Sequence, residues 1–233
     1  MPNAQPHLMV NLAEDEFRIY GAPGTDQVRR HSGCVLAGPH AKSVIIDTRA
    51  QCWLAAIEFQ HGGASRFLTM PMNEVVNQVV PLDSIWGNGT SLRERLLDAP
   101  TPALKFRAME DVLLEHFKPV FDPAIQHAIT QLRAGSTVAQ VVARLGISPK
   151  TLERRFSTQV GIVPKRFARV HRLQRLLRAL RRSGTPDWCV LAVEHGYTDQ
   201  AHLIHDFRDL ADITPSEYRP QSRLRNNHVP IVL

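Results

Sequence analysis

The sequence has few cysteines and no long apolar run, and each absence excludes a class of protein. Three cysteines, odd in number and without a C-x-x-C pair, argue against a disulfide framework or a zinc finger and for a reducing compartment. No apolar run approaches the ~20 residues of a membrane span, and the N-terminus lacks a signal-peptide pattern. The ordinary composition, 43% hydrophobic and 21% charged, excludes low-complexity and wholly disordered chains. We expect a cytoplasmic globular protein of one large or two small domains.

Recognisable motifs of catalysis are also missing, so neither enzymatic activity nor a cofactor is expected. His61-Gly62-Gly63 resembles part of an oxyanion loop, but no G-x-S-x-G nucleophile motif accompanies it. The five histidines of the first half lack the pairwise spacing of metal ligands: His7, His31, His40, His61 and His116. A metal site among them, or a ligand or redox role for Cys34 and Cys52, stays an alternative to hydrogen-bonded histidines and small buried thiols.

The charge is divided unevenly along the chain. Residues 1–122 hold 11 Lys and Arg against 14 Asp and Glu, a net charge of −3. Residues 123–233 hold 17 against 8, a net charge of +9. Such asymmetry indicates a polyanion-binding module joined to a second unit, although a solvated basic face would give the same count.

The hydrophobic pattern changes at the same place and predicts an α+β protein. Short runs rich in Val, Ile, Leu and aromatic residues are bounded by Gly, Pro and Asp, as strands usually are. The predicted strands are His7–Leu12, Cys34–Leu36, Ser43–Asp47 and Cys52–Phe59, and the predicted helices that follow are Leu92–Leu97 and Ala103–Phe117. We expect a small β-rich domain, a cupin-like half-barrel, at 1–118. An all-α domain is expected at 123–221 and a tail at 222–233.

The all-α half begins with a helix-turn-helix unit. Thr137–Leu145 is a short amphipathic helix followed by Gly146, which suits a left-handed C-cap. Ser148 is then a good N-cap, and Pro149 opens a second helix over 149–160. A helix, a tight glycine turn and a second helix form the helix-turn-helix arrangement.

The unit repeats at an offset of 51 residues. Ser148 corresponds to Asp199, again a good N-cap, and Gly196 lies in a turn that is one residue longer. The other pairs are Leu152 and Leu203, Phe156 and Phe207, Ile162 and Ile213, Pro164 and Pro215, and Phe167 and Tyr218. A second recognition helix is therefore predicted at 199–211, and tandem units are favoured over an unrelated helical bundle.

A long basic helix, Pro164–Arg182, is predicted between the two units. Its length of about 28 Å approaches the ~34 Å pitch of B-DNA, which suits a strut that holds two recognition helices in successive major-groove windows. Its apolar stripe is explained better by packing between the units than by a membrane surface.

Exposed polar residues of the first recognition helix are the candidates for DNA contact. Arg154 is the first choice for guanine, with Lys150 beside it and Glu153 as an acceptor for cytosine N4. Phosphate contacts, which give affinity without sequence information, are predicted for four basic residues: Arg155, Lys165, Arg166 and Arg169.

The second recognition helix gives a weaker signal. Gln200 suits adenine. For His202 and His205 three alternatives stay open: contact with bases, contact with phosphates, or exposure to solvent alone. Its acids, of which Asp199 is explained as an N-cap, predict a weaker grip on DNA than that of the first unit; the others are Asp206, Asp209 and Asp212.

Over roughly Ala124–Pro220 the chain resembles the AraC-type DNA-binding domain. The order and spacing of four segments agree with it: Gly146-Ile-Ser-Pro-Lys-Thr-Leu-Glu-Arg-Arg-Phe156, Gly161-Ile-Val-Pro-Lys-Arg-Phe167, Gly196-Tyr-Thr-Asp-Gln-Ala-His202 and Ile213-Thr-Pro-Ser-Glu-Tyr-Arg219. The resemblance implies a seven-helix domain that places two helix-turn-helix units on double-stranded DNA, usually to activate or repress a promoter.

Carried over by position, the resemblance implies seven base-reading residues: Lys150, Glu153, Arg154, Gln200, Ala201, His202 and His205. The chain departs from the family where His205 replaces a common Arg and Asp212 a common Gly. Double-stranded DNA is the expected partner. RNA polymerase and a small-molecule or protein effector are further candidates, and no membrane partner is expected.

The N-terminal half resembles the companion domain of one AraC-type subgroup. The shared segments are Gly38-Pro-His40, Phe59-Gln-His-Gly-Gly-Ala64, Val80-Pro-Leu-Asp83, Trp86-Gly87 and Leu92-Arg-Glu-Arg-Leu-Leu-Asp-Ala-Pro-Thr-Pro102. Because the ligand of this domain is generally unassigned, a small-molecule sensor and an adaptor that binds a partner protein both stay open. Strands usually precede the segment that begins here at Met1, so we expect a domain shortened at its N-terminus with an exposed sheet edge.

Overall fold

The computed structural model describes residues 1–20, 27–47, 51–120, 122–180, 187–220 and 227–230, and it confirms the α+β class. The strands described all lie within residues 7–81. They are β1 (His7–Asn11), β2 (Glu16–Tyr20), β3 (Val28–Ser32), β4 (Cys34–Ala37), β5 (Ile45–Ile46), β6 (Leu54–Glu58) and β7 (Val79–Pro81). Two short 3-10 turns, Ala64–Arg66 and Met72–Val75, separate β6 from β7.

The helices follow the strands. They are α1 (Asp83–Trp86), α2 (Gly89–Asp98), α3 (Pro102–His116), α4 (Pro123–Ala134), α5 (Val138–Leu145), α6 (Pro149–Val160), α7 (Pro164–Leu180), α8 (Trp188–Glu194) and α9 (Gln200–Ala211). The described part of the all-α half thus holds six helices against the seven that the resemblance implies, with a turn at 215–217 after α9. The predicted end of the long helix at Arg182 lies outside the described residues, as does most of the tail at 222–233.

Two antiparallel sheets form the N-terminal half, with strand orders β6-β1-β4-β7 and β3-β2-β5. Leu8 and Val10 of β1 are buried because alternate side chains of a strand point to one face. Leu8 lies opposite Leu36 of β4 and Ile57 of β6, which fixes the register of the sheet. Leu8, Leu36 and residues of α2 and α3 share one hydrophobic core.

The sequence reading missed β2, β3 and β7. Among the strands described, β3 pairs only with β2 and therefore forms an edge of its sheet. Its sequence, Val-Arg-Arg-His-Ser, is polar, and its first three residues are exposed. Charged residues on an edge strand hinder pairing with other chains, but they also remove the hydrophobic alternation by which a strand is recognised.

The local signals of the two helix-turn-helix units are confirmed. Thr137 forms a capping box with Gln140 at the start of α5, and Gly146 ends that helix in the left-handed region at φ 64°. The Ser148 hydroxyl accepts a hydrogen bond from the Thr151 N–H at 3.1 Å, and Asp199 caps α9 by accepting from the His202 N–H at 2.7 Å.

The departure at Asp212 has a structural reason. This residue is the C-cap of α9 and has φ 57°, a left-handed conformation that glycine adopts most easily and Asp tolerates. Its carboxylate also accepts a hydrogen bond from the Ser43 hydroxyl at 2.7 Å, so the substitution adds a contact to the N-terminal half.

The N-terminal segments pack directly on α7 and α9. The Arg166 guanidinium donates to the Ala41 carbonyl at 3.0 Å, and the Gln174 amide donates to the Pro2 carbonyl at 2.7 Å. The Ser43 N–H donates to the Leu210 carbonyl at 3.0 Å. These bonds join segments far apart in sequence, so the two halves share one contact surface. The predicted division between residues 118 and 123 stays a prediction.

Two histidines lie within this contact. The ring of His61 meets that of His171 edge to face, with 4.6 Å between the ring centres. Burial lowers the pKa of His61 to about 4 and that of His171 to about 2. Both rings are therefore neutral at pH 7, and the contact forms without burying a charged imidazole.

A substitution at Gly161, which joins α6 to α7, tests the contact between the two halves. A methyl group there would lie 2.4 Å from Cγ of Pro39, and φ is 99°. Gly161→Ala should therefore lower the free energy of unfolding by about 1–3 kcal/mol, since backbone strain and a steric clash add together. Urea denaturation measures the loss, and hydrogen exchange over Met72–Val75 should rise.

Gly146→Ala is the matched control, because Gly146 has φ 64° and open space around the added methyl group. It should cost about 1 kcal/mol, from backbone strain alone, without faster exchange over Met72–Val75. Equal losses and equal exchange in the two variants would show that Gly161 does not hold the halves together.

Candidate nucleic-acid interface

Helix α6 presents three of the predicted base-reading residues to solvent. Leu152 and Phe156 are fully buried and fix the orientation of the helix. Lys150, Glu153 and Arg154 lie on the opposite side and are exposed. Within the described residues their side chains form no ion pair and no hydrogen bond, so the side-chain donors and acceptors are available to a ligand.

Helix α9 carries the four remaining predicted base readers at its N-terminal end. Gln200, Ala201 and His205 are exposed, whereas His202 is half-buried. The Gln200 amide oxygen accepts a hydrogen bond from the Cys189 thiol at 3.2 Å. The His202 Nδ1 accepts from the Thr198 N–H at 3.3 Å, and its ring packs on Tyr197. The structure thus leaves His205 more open than His202.

Three of the four predicted phosphate contacts already have acidic partners. Arg155 donates from Nε and Nη2 to Asp122, at 2.9 and 2.5 Å. Arg166 pairs with Asp209, and Arg169 also pairs with acids of α9. Lys165 is exposed and forms no ion pair within the described residues.

Two arginines of α7, Arg169 and Arg172, hold this helix against α9 and the turn before it. We call this pair the arginine ladder; it was not predicted from the sequence. Arg169 donates to Oδ1 of Asp206 at 2.9 and 2.6 Å and lies 2.7 Å from Oδ2 of Asp209. One turn on, Arg172 donates to the Gly196 carbonyl at 2.8 Å and lies over the Tyr197 ring. The ladder therefore fixes both the second recognition helix and the turn before it.

The two acids within α9, Asp206 and Asp209, face arginines of α7. Asp206 is 1% exposed, and Asp209 is half-buried beside Arg166 and Arg169. Burial alone would raise the pKa of Asp209, but hydrogen bonds and charges from the two arginines hold it below its usual value. Asp209 is therefore ionised at neutral pH, and its charge is balanced inside the fold.

Other site classes find little support in the described part of the chain. No group of three or more metal-ligating side chains occurs among these residues. None of the helices described is long and apolar enough to cross a bilayer. Cys34 is buried, and burial raises the pKa of its thiol to about 12, which makes it unreactive at neutral pH.

The ladder leads to a stability prediction. Arg169→Ala should lower the free energy of unfolding by about 3 kcal/mol, because it leaves the Asp206 carboxylate buried without its main partner. Adding Asp206→Ala should recover much of the loss, since the buried charge is then gone. Urea denaturation of both single variants and the double variant gives the coupling energy.

Lys165→Ala serves as the control for the ladder. It removes a charge from the same helix without breaking an ion pair, so it should leave stability within about 0.5 kcal/mol of the wild type. Additive losses in the double variant would contradict a structural role for the pair.

Comparisons with known proteins match separate parts of the chain. A family model described as a helix-turn-helix domain matches residues 141–221, and one described as a domain of unknown function (DUF6597) matches residues 1–81. Xylose operon regulatory proteins from three Escherichia coli strains are 28% identical over 130 residues, which are 54% of this chain and 31% of theirs. The chain thus spans about a third of the length of the curated relatives it matches.

Two solved structures of ToxT from Vibrio cholerae align with 92% of this chain and 88% of theirs. Their TM-scores are 0.45 and 0.44, at 10% and 9% identity. The similarity to helix-turn-helix proteins rests instead on the tandem units and on the family model matched at 141–221. Residues 141–221 are thus similar to a helix-turn-helix domain, within the segment where the sequence resembles the AraC type.

Proposed function

We propose that the chain is a sequence-specific transcription regulator that inserts α6 and α9 into the major groove of double-stranded DNA. The observation that carries the proposal is the pair of exposed polar helix faces held on one helix, α7. The match of residues 141–221 to a helix-turn-helix domain supports the proposal.

The chemistry of the exposed residues suits base reading. The Arg154 guanidinium has the planar donor pair that fits guanine O6 and N7, and Glu153 offers acceptors to cytosine N4. On α9, Gln200 fits adenine once its contact with the Cys189 thiol opens, and thiol donors form weak hydrogen bonds. Helix α7 spans about 25 Å between the units, from 17 residues.

The four basic residues differ in how many of their side-chain donors are still free to bind a phosphate. Lys165 is unengaged and offers its full charge. Arg155 uses Nε and Nη2 for Asp122, which leaves the Nη1 donors for a phosphate oxygen. Arg166 and Arg169 are bound to α9, so we assign them first to structure and only then to DNA.

The proposal predicts different effects for two exposed cations. Arg154→Ala should reduce discrimination at one base pair by about 1–3 kcal/mol while binding to random DNA changes little. Lys165→Ala should weaken specific and random binding equally and reduce the slope of log K against log salt by about 0.9. Gel shifts over a salt series, on fragments selected by genome-wide mapping and on random DNA, measure both effects.

Arg107→Ala, an exposed change on α3, is the control and should alter neither property. Binding that is independent of salt, or that prefers no genomic fragment, would contradict the proposed regulator. Equal behaviour of Arg154→Ala and Lys165→Ala on both DNA classes would contradict the division into base and phosphate contacts.

A DNA-tethered adaptor is the second candidate, and exposed apolar residues on α3 favour it. Phe106 is 65% exposed and Leu114 64%. Large exposed apolar side chains can form part of a protein contact when they lie in one contiguous patch. If the chain is an adaptor, no compound of a small-molecule library should give saturable thermal stabilisation. The double variant Phe106→Glu/Leu114→Glu should abolish partner capture without altering DNA affinity. Saturable stabilisation by a small molecule would favour the sensor.

A further inference from the structure

A basic cleft lies between α4, α7 and α8, lined by none of the predicted base-reading residues. Its volume is about 540 Å³, within the range of small-molecule sites. Arg133 contributes from the end of α4, Arg175 and Arg178 from α7, and His195 from the turn after α8. No described lining residue is acidic.

The three arginines of the cleft differ from those of the ladder in having no acidic partner. Arg175 donates to the Arg133 carbonyl at 2.9 Å, and Arg178 donates to the Gln174 carbonyl at 3.1 Å. Across the described ranges, none of the three forms an ion pair. Burial, followed by the charges of Arg172 and Arg178, lowers the pKa of Arg175. Like charges are thus crowded here without compensation.

His195 supplies a second observation that points to a ligand. Its Nε2 is buried and has no hydrogen-bond partner in the structure. Burial and the nearby charge of Arg175 lower the pKa of the ring, so it is neutral at pH 7. Leaving a buried polar atom unpaired is unfavourable, and a bound ion or ligand is one way in which such an atom is satisfied.

We propose that this cleft binds a phosphate group. Guanidinium groups match phosphate oxygens with paired donors, and the imidazole Nε2 donates when its tautomer carries the proton there. The phosphate comes either from a small phosphorylated molecule or from the backbone of bound DNA. Only the second source rests on the proposed function.

The first arm of the test uses the full chain without DNA, and its probe is inorganic pyrophosphate at ionic strength matched with sodium chloride. At about five times Kd, pyrophosphate should raise Tm by about 2–4 °C. Arg133→Gln/Arg178→Gln should abolish the rise, and Arg107→Gln, an exposed change outside the cleft, should retain it. Should the double variant fold poorly by circular dichroism, the single variant Arg133→Gln takes its place.

The second arm measures DNA binding over a salt series. A phosphate of the DNA backbone in the cleft should make the slope of log K against log salt shallower by about 0.9 in Arg133→Gln/Arg178→Gln. Stabilisation by pyrophosphate with an unchanged slope assigns a small phosphorylated molecule, and a changed slope alone assigns DNA. If neither effect is seen, or if the variants match the wild type in both arms, the proposal is overturned. If the wild-type chain binds no DNA, the proposed function is rejected. The pyrophosphate measurement alone then tests whether the cleft binds phosphate.

Discussion

The pairing of Arg169 with the buried carboxylate of Asp206 is the interaction on which the rest of this structure depends. A carboxylate removed from water costs several kcal/mol unless a partner of opposite charge meets it with good geometry. Asp206 finds that partner only when α9 packs on α7 in one register. The rings of Phe156 on α6 and Phe167 on α7 are in contact, with 5.2 Å between their centres, and hold α6 against the same helix. Both recognition helices are therefore anchored to α7.

The N-terminal half is anchored to the same helix. Arg166 connects Asp209 of α9 with the Ala41 carbonyl, and His171 packs on His61. One helix thus carries contacts to both helix-turn-helix units and to the N-terminal half. A displacement of the N-terminal half would shift α7, because close-packed interiors transmit strain. This arrangement gives a physical route by which an effector, if one binds, would reach the recognition helices.

The parts of the fold that local chemistry determines could be predicted from the sequence. The helices α5, α6 and α9 follow from Gly146, Ser148 and Asp199, whose capping roles need only neighbouring residues. Strand β3 could not be found, since an edge strand with two arginines lacks hydrophobic alternation. The Arg169 to Asp206 pair joins residues 37 apart, and no local pattern indicates it. The sequence suggested a weak second half-site from four acids, of which Asp206 and Asp209 in fact pair with arginines of α7. The weaker grip itself stays a prediction.

The central claim, that the ladder sets the spacing of the recognition helices, is tested most directly by distance measurement between spin labels. Labels at Thr158 on α6 and Arg208 on α9, with Cys52 and Cys189 replaced by Ser, would report the separation by pulsed electron paramagnetic resonance. We expect one narrow distance distribution in the wild-type background and a broad one with Arg169→Ala. A broad distribution in the wild-type background, or equal widths in both, would contradict the account.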